Sequence, residues 1–80
     1  MNIISLKYGL DNNTVDVTHF KNIFTVNDLI FISNSENFNE LFTDPCYGTA
    51  KKLYMDVLYN NNVYKYEIPE YNTSDFKINS

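Results

Sequence analysis

Hydrophobic and polar residues alternate along much of this chain, and that alternation marks strands with one face in a core. Ile4, Leu6 and Tyr8 interleave with Ile3, Ser5 and Lys7, and Gly9 closes the run. Asp11-Asn12-Asn13 is turn chemistry, because Asn and Asp accept left-handed backbone and bond to their own chain. Thr14-Val15-Asp16-Val17 then reads as a short strand. The clearest strand is Leu53-Tyr54-Met55-Asp56-Val57-Leu58-Tyr59, with Leu53, Met55, Val57 and Tyr59 on one face and Lys52, Tyr54, Asp56 and Leu58 on the other. Asn60-Asn61-Asn62 separates it from Val63-Tyr64-Lys65-Tyr66-Glu67-Ile68. Asparagine tolerates the positive φ of a tight turn, so the two runs form a hairpin. Pro69 ends it, having no N–H to give to a ladder.

Elsewhere the alternation breaks. Thr18 is placed to cap a short helix over residues 19–24, in which Phe20, Ile23 and Phe24 share a face. Asn27-Asp28 makes a turn, and the unbroken apolar run Leu29-Ile30-Phe31-Ile32 suggests a strand buried on both faces. The stretch from Asn34 to Thr43 is irregular and polar, with Phe38, Leu41 and Phe42 either tucked onto the core or offered to a partner. Asp75-Phe76-Lys77-Ile78 adds a short edge strand. The expected fold is all-β: a small antiparallel β-sandwich-like domain of five to six strands with one short helix, spanning residues 1–80 as a single domain without repeat or linker.

Composition narrows the function. A chain of 80 residues buries only about 60% of the surface its unfolded form exposes, so its core is thin. Thirteen Phe and Tyr residues offset this, since each aromatic buries a large area. The single cysteine, Cys46, excludes an internal disulfide framework. Ten carboxylates outnumber six lysines, and arginine is absent. The lysines are scattered, only Lys51 and Lys52 being adjacent, which argues against nucleic-acid binding. Thirteen asparagines and the missing arginine point to an AT-rich genome, such as that of a large DNA virus or a protist. No segment approaches the ~20 apolar residues of a membrane helix, and the N-terminus has neither the basic start nor the apolar stretch of a signal peptide. An intracellular soluble or virion-associated protein is expected, with no membrane insertion and with Met1 as a native start. Two glycosylation patterns, Asn12-Asn13-Thr14 and Asn72-Thr73-Ser74, are explained by chance in so asparagine-rich a chain.

Several short marks recur in a recognisable order: Tyr8-Gly9; Val15-Asp16-Val17-Thr18; a strand ending in Ser33-Asn34; then Asp44-Pro45-Cys46, Gly48, Lys51 or Lys52, Leu53 and Tyr59. This order resembles the C-terminal domain of the mitochondrial DnaJ-like proteins of subfamily C, member eleven, and related small domains of bacterial and fungal proteins, over about residues 4–70. Each mark has a structural task. Asp44 and Pro45 favour a turn, Gly48 and Gly9 supply conformations that side chains resist, and Asp16 or Thr18 can bond the backbone where a strand gives way to a helix. The resemblance therefore implies a fold rather than an activity. The His-Pro-Asp tripeptide of a J domain is absent, as His19 precedes Phe20, so chaperone stimulation does not transfer.

Catalytic patterns are weak. His19 and Cys46 are single instances with nothing to fix their distance. Asp11-Asn12-Asn13 lacks the spacing of a calcium loop, one Cys and one His do not make a zinc site, and two glycines make no phosphate loop. No catalytic residue, metal or cofactor is expected. Tyr54, Tyr64 and Tyr66 of the hairpin, with Phe38 and Phe42 of the long loop, are the candidate contacts for a protein partner or a second copy of the chain. The tyrosines alternatively stabilise the sheet by cross-strand pairing, or stack on sugar rings. A non-enzymatic protein-interaction or structural module is thus the expected function, with a carbohydrate-binding, lectin-like module as the alternative.

Overall fold

The computed structural model describes residues 1–10, 12–42, 50–70 and 74–79. Seven strands occur among them: β1 (Asn2–Leu10), β2 (Asn13–Asp16), β3 (Thr25–Val26), β4 (Leu29–Ile32), β5 (Lys52–Tyr59), β6 (Asn62–Pro69) and β7 (Phe76–Asn79). They form a four-stranded sheet in the order β2-β1-β5-β6 and a three-stranded sheet in the order β3-β4-β7. Every pairing is antiparallel. The sheets share one core built from Ile3, Leu6, Tyr8, Leu53, Met55, Val57 and Ile68 on the larger sheet and Ile30 and Ile32 on the smaller, with Val17, Phe24, Phe38 and Phe42 from the connections. The all-β, two-sheet architecture is the one expected.

The hairpin follows from its sequence. Asn60 and Asn61 both hold positive φ, 50° and 64°, as a two-residue turn of mirror-image type demands. Tyr59 then pairs with Asn62, and the register runs without a break to Lys52 opposite Pro69. Leu53, Met55 and Val57 are buried as their alternation predicts, while Tyr59 lies beyond the core and is exposed. Asn27, at φ 55°, turns the chain from β3 to β4 in the same way. The edge strand near residue 76 is also present, as β7 against β4.

Three expectations are corrected. First, β4 is buried on one face only: Ile30 and Ile32 point inward and Phe31 outward, because the small sheet has the core on a single side. Second, the segment 18–24 is a 3₁₀ helix that Thr18 does not cap; its hydroxyl instead joins the backbone of β1, and Ile23 is exposed while Phe24 is buried. Third, the irregular stretch contains an α-helix, α1 (Phe38–Phe42). Its first and last residues lie four apart, on one face, and both enter the core. Phe42 touches Tyr8, Phe20, Phe24 and Phe38 at ring-centroid distances of 5.3, 5.1, 6.2 and 5.6 Å. Phe38 and Phe42 are therefore core residues and not partner contacts: a five-residue helix has no independent stability, and these two rings are what holds it. Asp11, Asp44, Pro45, Cys46, Gly48 and the Thr43 end of the expected loop lie outside the described residues.

Candidate interaction surface

Of the marks in that recurring order, Tyr8, Gly9, Asp16, Thr18 and Lys51 serve the fold. Tyr8 is fully buried, and its hydroxyl donates to Asn39 Oδ1 of α1 at 2.8 Å. Gly9 has φ +150°, and a Cβ there would meet the Asn13 carbonyl oxygen at 2.0 Å, so no other residue fits the bend that starts the β1–β2 hairpin. Asp16 and Thr18 form a joint. The Thr18 hydroxyl accepts the Leu6 N–H at 3.0 Å and donates to Asp16 Oδ1, which also accepts the Thr18 N–H at 2.9 Å. The Val17 N–H donates to the Leu6 carbonyl at 2.8 Å, so the attachment to β1 continues past the end of β2. The Thr18 hydroxyl, and after it the Thr18 backbone N–H, hold the Asp16 carboxyl below its ordinary pKa.

Lys51 is more surprising, since lysine is seldom buried without a partner. Its ammonium lies 3.5 Å from Glu70 Oε2, with both side chains almost wholly excluded from solvent. Glu70 Oε2 also accepts the Lys51 N–H, and Glu70 Oε1 accepts from the Asn39 amide at 2.5 Å. Tyr8, Asn39, Glu70 and Lys51 thus form one part-buried chain of polar contacts that fastens α1 to β1 and to the ends of β5 and β6. Sequence reading marked Tyr8 and Lys51 but missed Asn39 and Glu70. The only signal was a carboxylate directly after Pro69, and nothing local pairs it with residues 19 and 31 positions earlier.

The three hairpin tyrosines do not form one patch. Residues directly opposite in antiparallel strands share a face, and Tyr64 stands opposite Val57 and Tyr66 opposite Met55, both on the core side. Tyr54 stands opposite Glu67 and beside Lys7, on the outer face of the larger sheet. Tyr66 packs edge-on against Phe76 of β7 at 5.5 Å, so part of its role is cross-sheet stabilisation. Tyr64 remains 45% exposed, next to Val63 at 50%. Together with Met1, Val57, Tyr59 and Ile78, Tyr64 and Tyr66 line an apolar groove of about 190 Å³. Val57 in its lining is a core residue, and Tyr64 and Tyr66 stand on β6, the last strand in the order of the four-stranded sheet.

The outer face around Tyr54 differs in character. A hollow of about 360 Å³ is walled by Ser5, Lys7, Asp56, Lys65 and Glu67 around the tyrosine. Lys65 reaches Asp56 Oδ2 at 3.4 Å and Lys52 reaches Glu67 Oε1 at 2.9 Å, so charges of both signs alternate across the strands. His19 is exposed and lies against Phe20 at 4.3 Å. Among the described residues no cluster of His, Cys, Asp and Glu could hold a metal ion, and no helix is long and apolar enough to cross a membrane. Against known proteins, the chain matches no family model, no curated protein and no solved structure.

Proposed function

We propose that this domain is a non-enzymatic protein-interaction module that engages its partner through the β5–β6 hairpin. The observation that carries this is the position of Tyr59 and Tyr64. Both are large, exposed and line an apolar groove, beside a strand that has no neighbour on its outer backbone edge among the described residues. Exposed tyrosines supply rigid contact area with a polar tip, and an open edge supplies backbone donors and acceptors. The polar chain of Tyr8, Asn39, Glu70 and Lys51 has a constructional role in this reading, as do Gly9, Asp16 and Thr18. The motif order shared with the DnaJ-like C-terminal domains enters as a proposed relation of fold alone.

The test is affinity capture from the native source with the tagged chain, its Tyr59→Ser/Tyr64→Ser variant and its Tyr54→Ser variant. The reading expects a stoichiometric protein that the groove variant loses and the Tyr54→Ser variant keeps. Capture indifferent to Tyr59 and Tyr64 overturns it.

A second reading draws on the hollow at Tyr54. An aromatic ring bordered by lysine, carboxylate and hydroxyl side chains has the chemistry that stacks on and hydrogen-bonds a sugar, which would make the domain a carbohydrate-binding module. A glycan array separates the two, because binding abolished by Tyr54→Ser and unaffected by Tyr64→Ser would favour the sugar.

A further inference from the structure

We propose that the partner of the β6 edge is a second copy of this chain, joined to the first about a two-fold axis through Tyr66. This rests on the reading of the β5–β6 hairpin as an interaction surface and names its occupant. In a two-residue hairpin the residues flanking the loop exchange backbone hydrogen bonds, and every second pair after them does the same. Tyr59 with Asn62 is the flanking pair, so Asn62, Tyr64, Tyr66 and Ile68 turn their backbone groups toward β5. Val63, Lys65, Glu67 and Pro69 therefore turn theirs outward, on a strand that ends the sheet order.

A strand meets its own copy antiparallel, and the residue on the axis sets every other pairing. Centring the axis on Tyr66 places Lys65 of each copy opposite Glu67 of the other, twice by symmetry. Those two residues carry the outward-facing backbone groups, so each opposed pair exchanges two hydrogen bonds as well as opposite charges. Val63 falls opposite Pro69, whose carbonyl accepts the Val63 N–H and whose missing N–H closes the ladder. Centring on Lys65 or on Glu67 instead would oppose like charges on the axis, which destabilises the pair. Among axes placed on Lys65, Tyr66 or Glu67, only the one on Tyr66 opposes unlike charges.

The neighbouring side chains extend the match. Within one chain Lys65 already pairs with Asp56, and Glu67 with Lys52. Across the axis the order becomes Asp56, Lys65, then Glu67 and Lys52 of the second copy, with the sign alternating at each step. On the opposite face Tyr64 would lie over Ile68 of the second copy and the two Tyr66 rings would meet beside Phe76. The product is a continuous eight-stranded sheet, and the assembly stops at two copies because the isologous contact uses up the β6 edge of each.

The test is sedimentation of the full chain as wild type, Lys65→Glu, Glu67→Lys and the Lys65→Glu/Glu67→Lys double variant, each with its thermal unfolding recorded. The proposal expects a dimer that either single charge reversal weakens roughly tenfold and the double reversal restores. A Cys46→Ser background carrying Tyr66→Cys should cross-link to itself, since facing residues without mutual hydrogen bonds sit about 4.5 Å apart at Cα, within reach of a disulfide. Tyr64→Cys in the same background should not, as its two copies would stand about 14 Å apart. A monomer at millimolar concentration overturns self-pairing, and so does cross-linking through Tyr64→Cys in preference to Tyr66→Cys. A monomer whose captured protein is still lost on Tyr59→Ser/Tyr64→Ser overturns the second copy while the interaction module stands. Capture indifferent to those tyrosines removes both.

Discussion

Lys51 and Glu70 are joined three times: Glu70 N–H to the Lys51 carbonyl at 2.8 Å, Lys51 N–H to Glu70 Oε2 at 2.9 Å, and ammonium to carboxylate at 3.5 Å. The pair is buried, so its worth depends on how completely it is satisfied. Removing the carboxylate takes one partner from a lysine ammonium held out of water, and breaking a buried pair typically costs about 3–5 kcal/mol. Glu70→Ala should therefore lose most of the stability of so small a domain. Asn39→Ala removes one donor to the carboxylate and the acceptor of the Tyr8 hydroxyl, and should cost about 1–3 kcal/mol. Urea unfolding of both variants and of the double variant checks the order, and the double variant should fall short of the sum because the residues share one network.

The contrast between this network and the hairpin shows what the sequence could disclose. The alternation from Leu53 to Ile68 and the three asparagines between are local, so both strands and the turn between them were legible. So was the joint at Asp16 and Thr18, because hydroxyl and carboxylate beside a strand end have a short menu of backbone partners. The helix α1 was not legible, since it amounts to little more than a turn and exists by virtue of five rings that meet only in the folded state. Phe31 misled for a related reason: four apolar residues in a row do not say how many faces of their sheet are covered. Which tyrosines share a face required the pairing register, and that set Tyr54 apart from Tyr64 and Tyr66.

Phe42 is the clearest point of failure in the core. It is buried, closes α1 and touches four other rings. Phe42→Ala should cost about 3–5 kcal/mol, the usual range for removing a buried ring. The loss should be accompanied by release of α1, visible as rapid hydrogen exchange at the Leu41 amide, which bonds the Asn37 carbonyl. Retained protection at that amide would show that the Asn39 contacts with Tyr8 and Glu70 hold the helix without the ring.

Gly9→Ala should destabilise far more than the loss of one hydrogen atom suggests. The added Cβ would collide with the Asn13 backbone rather than with a movable side chain, and φ +150° is itself closed to alanine. The strain is of the order of 1–3 kcal/mol if the turn yields, and larger if it does not. A melting temperature lowered by less than the roughly 4 °C that 1 kcal/mol moves in a domain of this size would show that the bend is not required.

Asp16 gives the acid limb of stability a predictable sign. Its folded pKa lies below the ordinary carboxylate value because the Thr18 hydroxyl and N–H favour the charged form. A depressed folded pKa contributes stability that is fully present above the unfolded value, near ~3.9, and is lost as pH falls through the folded value. Asp16→Asn should therefore flatten the fall in stability below about pH 4 while changing little between successive points near neutrality. Chemical denaturation at a series of pH values measures this, and an unchanged acid slope would remove Asp16 from the account.

The tip of the hairpin connects local conformation to the proposed surface. Asn60 and Asn61 hold left-handed φ without glycine, which asparagine accepts and alanine resists by about 1–2 kcal/mol per residue. Asn61→Gly should be neutral or slightly stabilising, and Asn60→Ala/Asn61→Ala should fray the turn. Because Tyr59 and Asn62 flank that turn while Leu53 and Ile68 lie deep in the core, the damage should stay at the tip. Hydrogen exchange should accelerate at Tyr59 and Asn62 and remain slow at Leu53. Binding that depends on Tyr59 and Tyr64 should weaken in step, since both side chains are aimed by the same two strands, whereas an unfrayed tip would show that strand pairing alone fixes the turn.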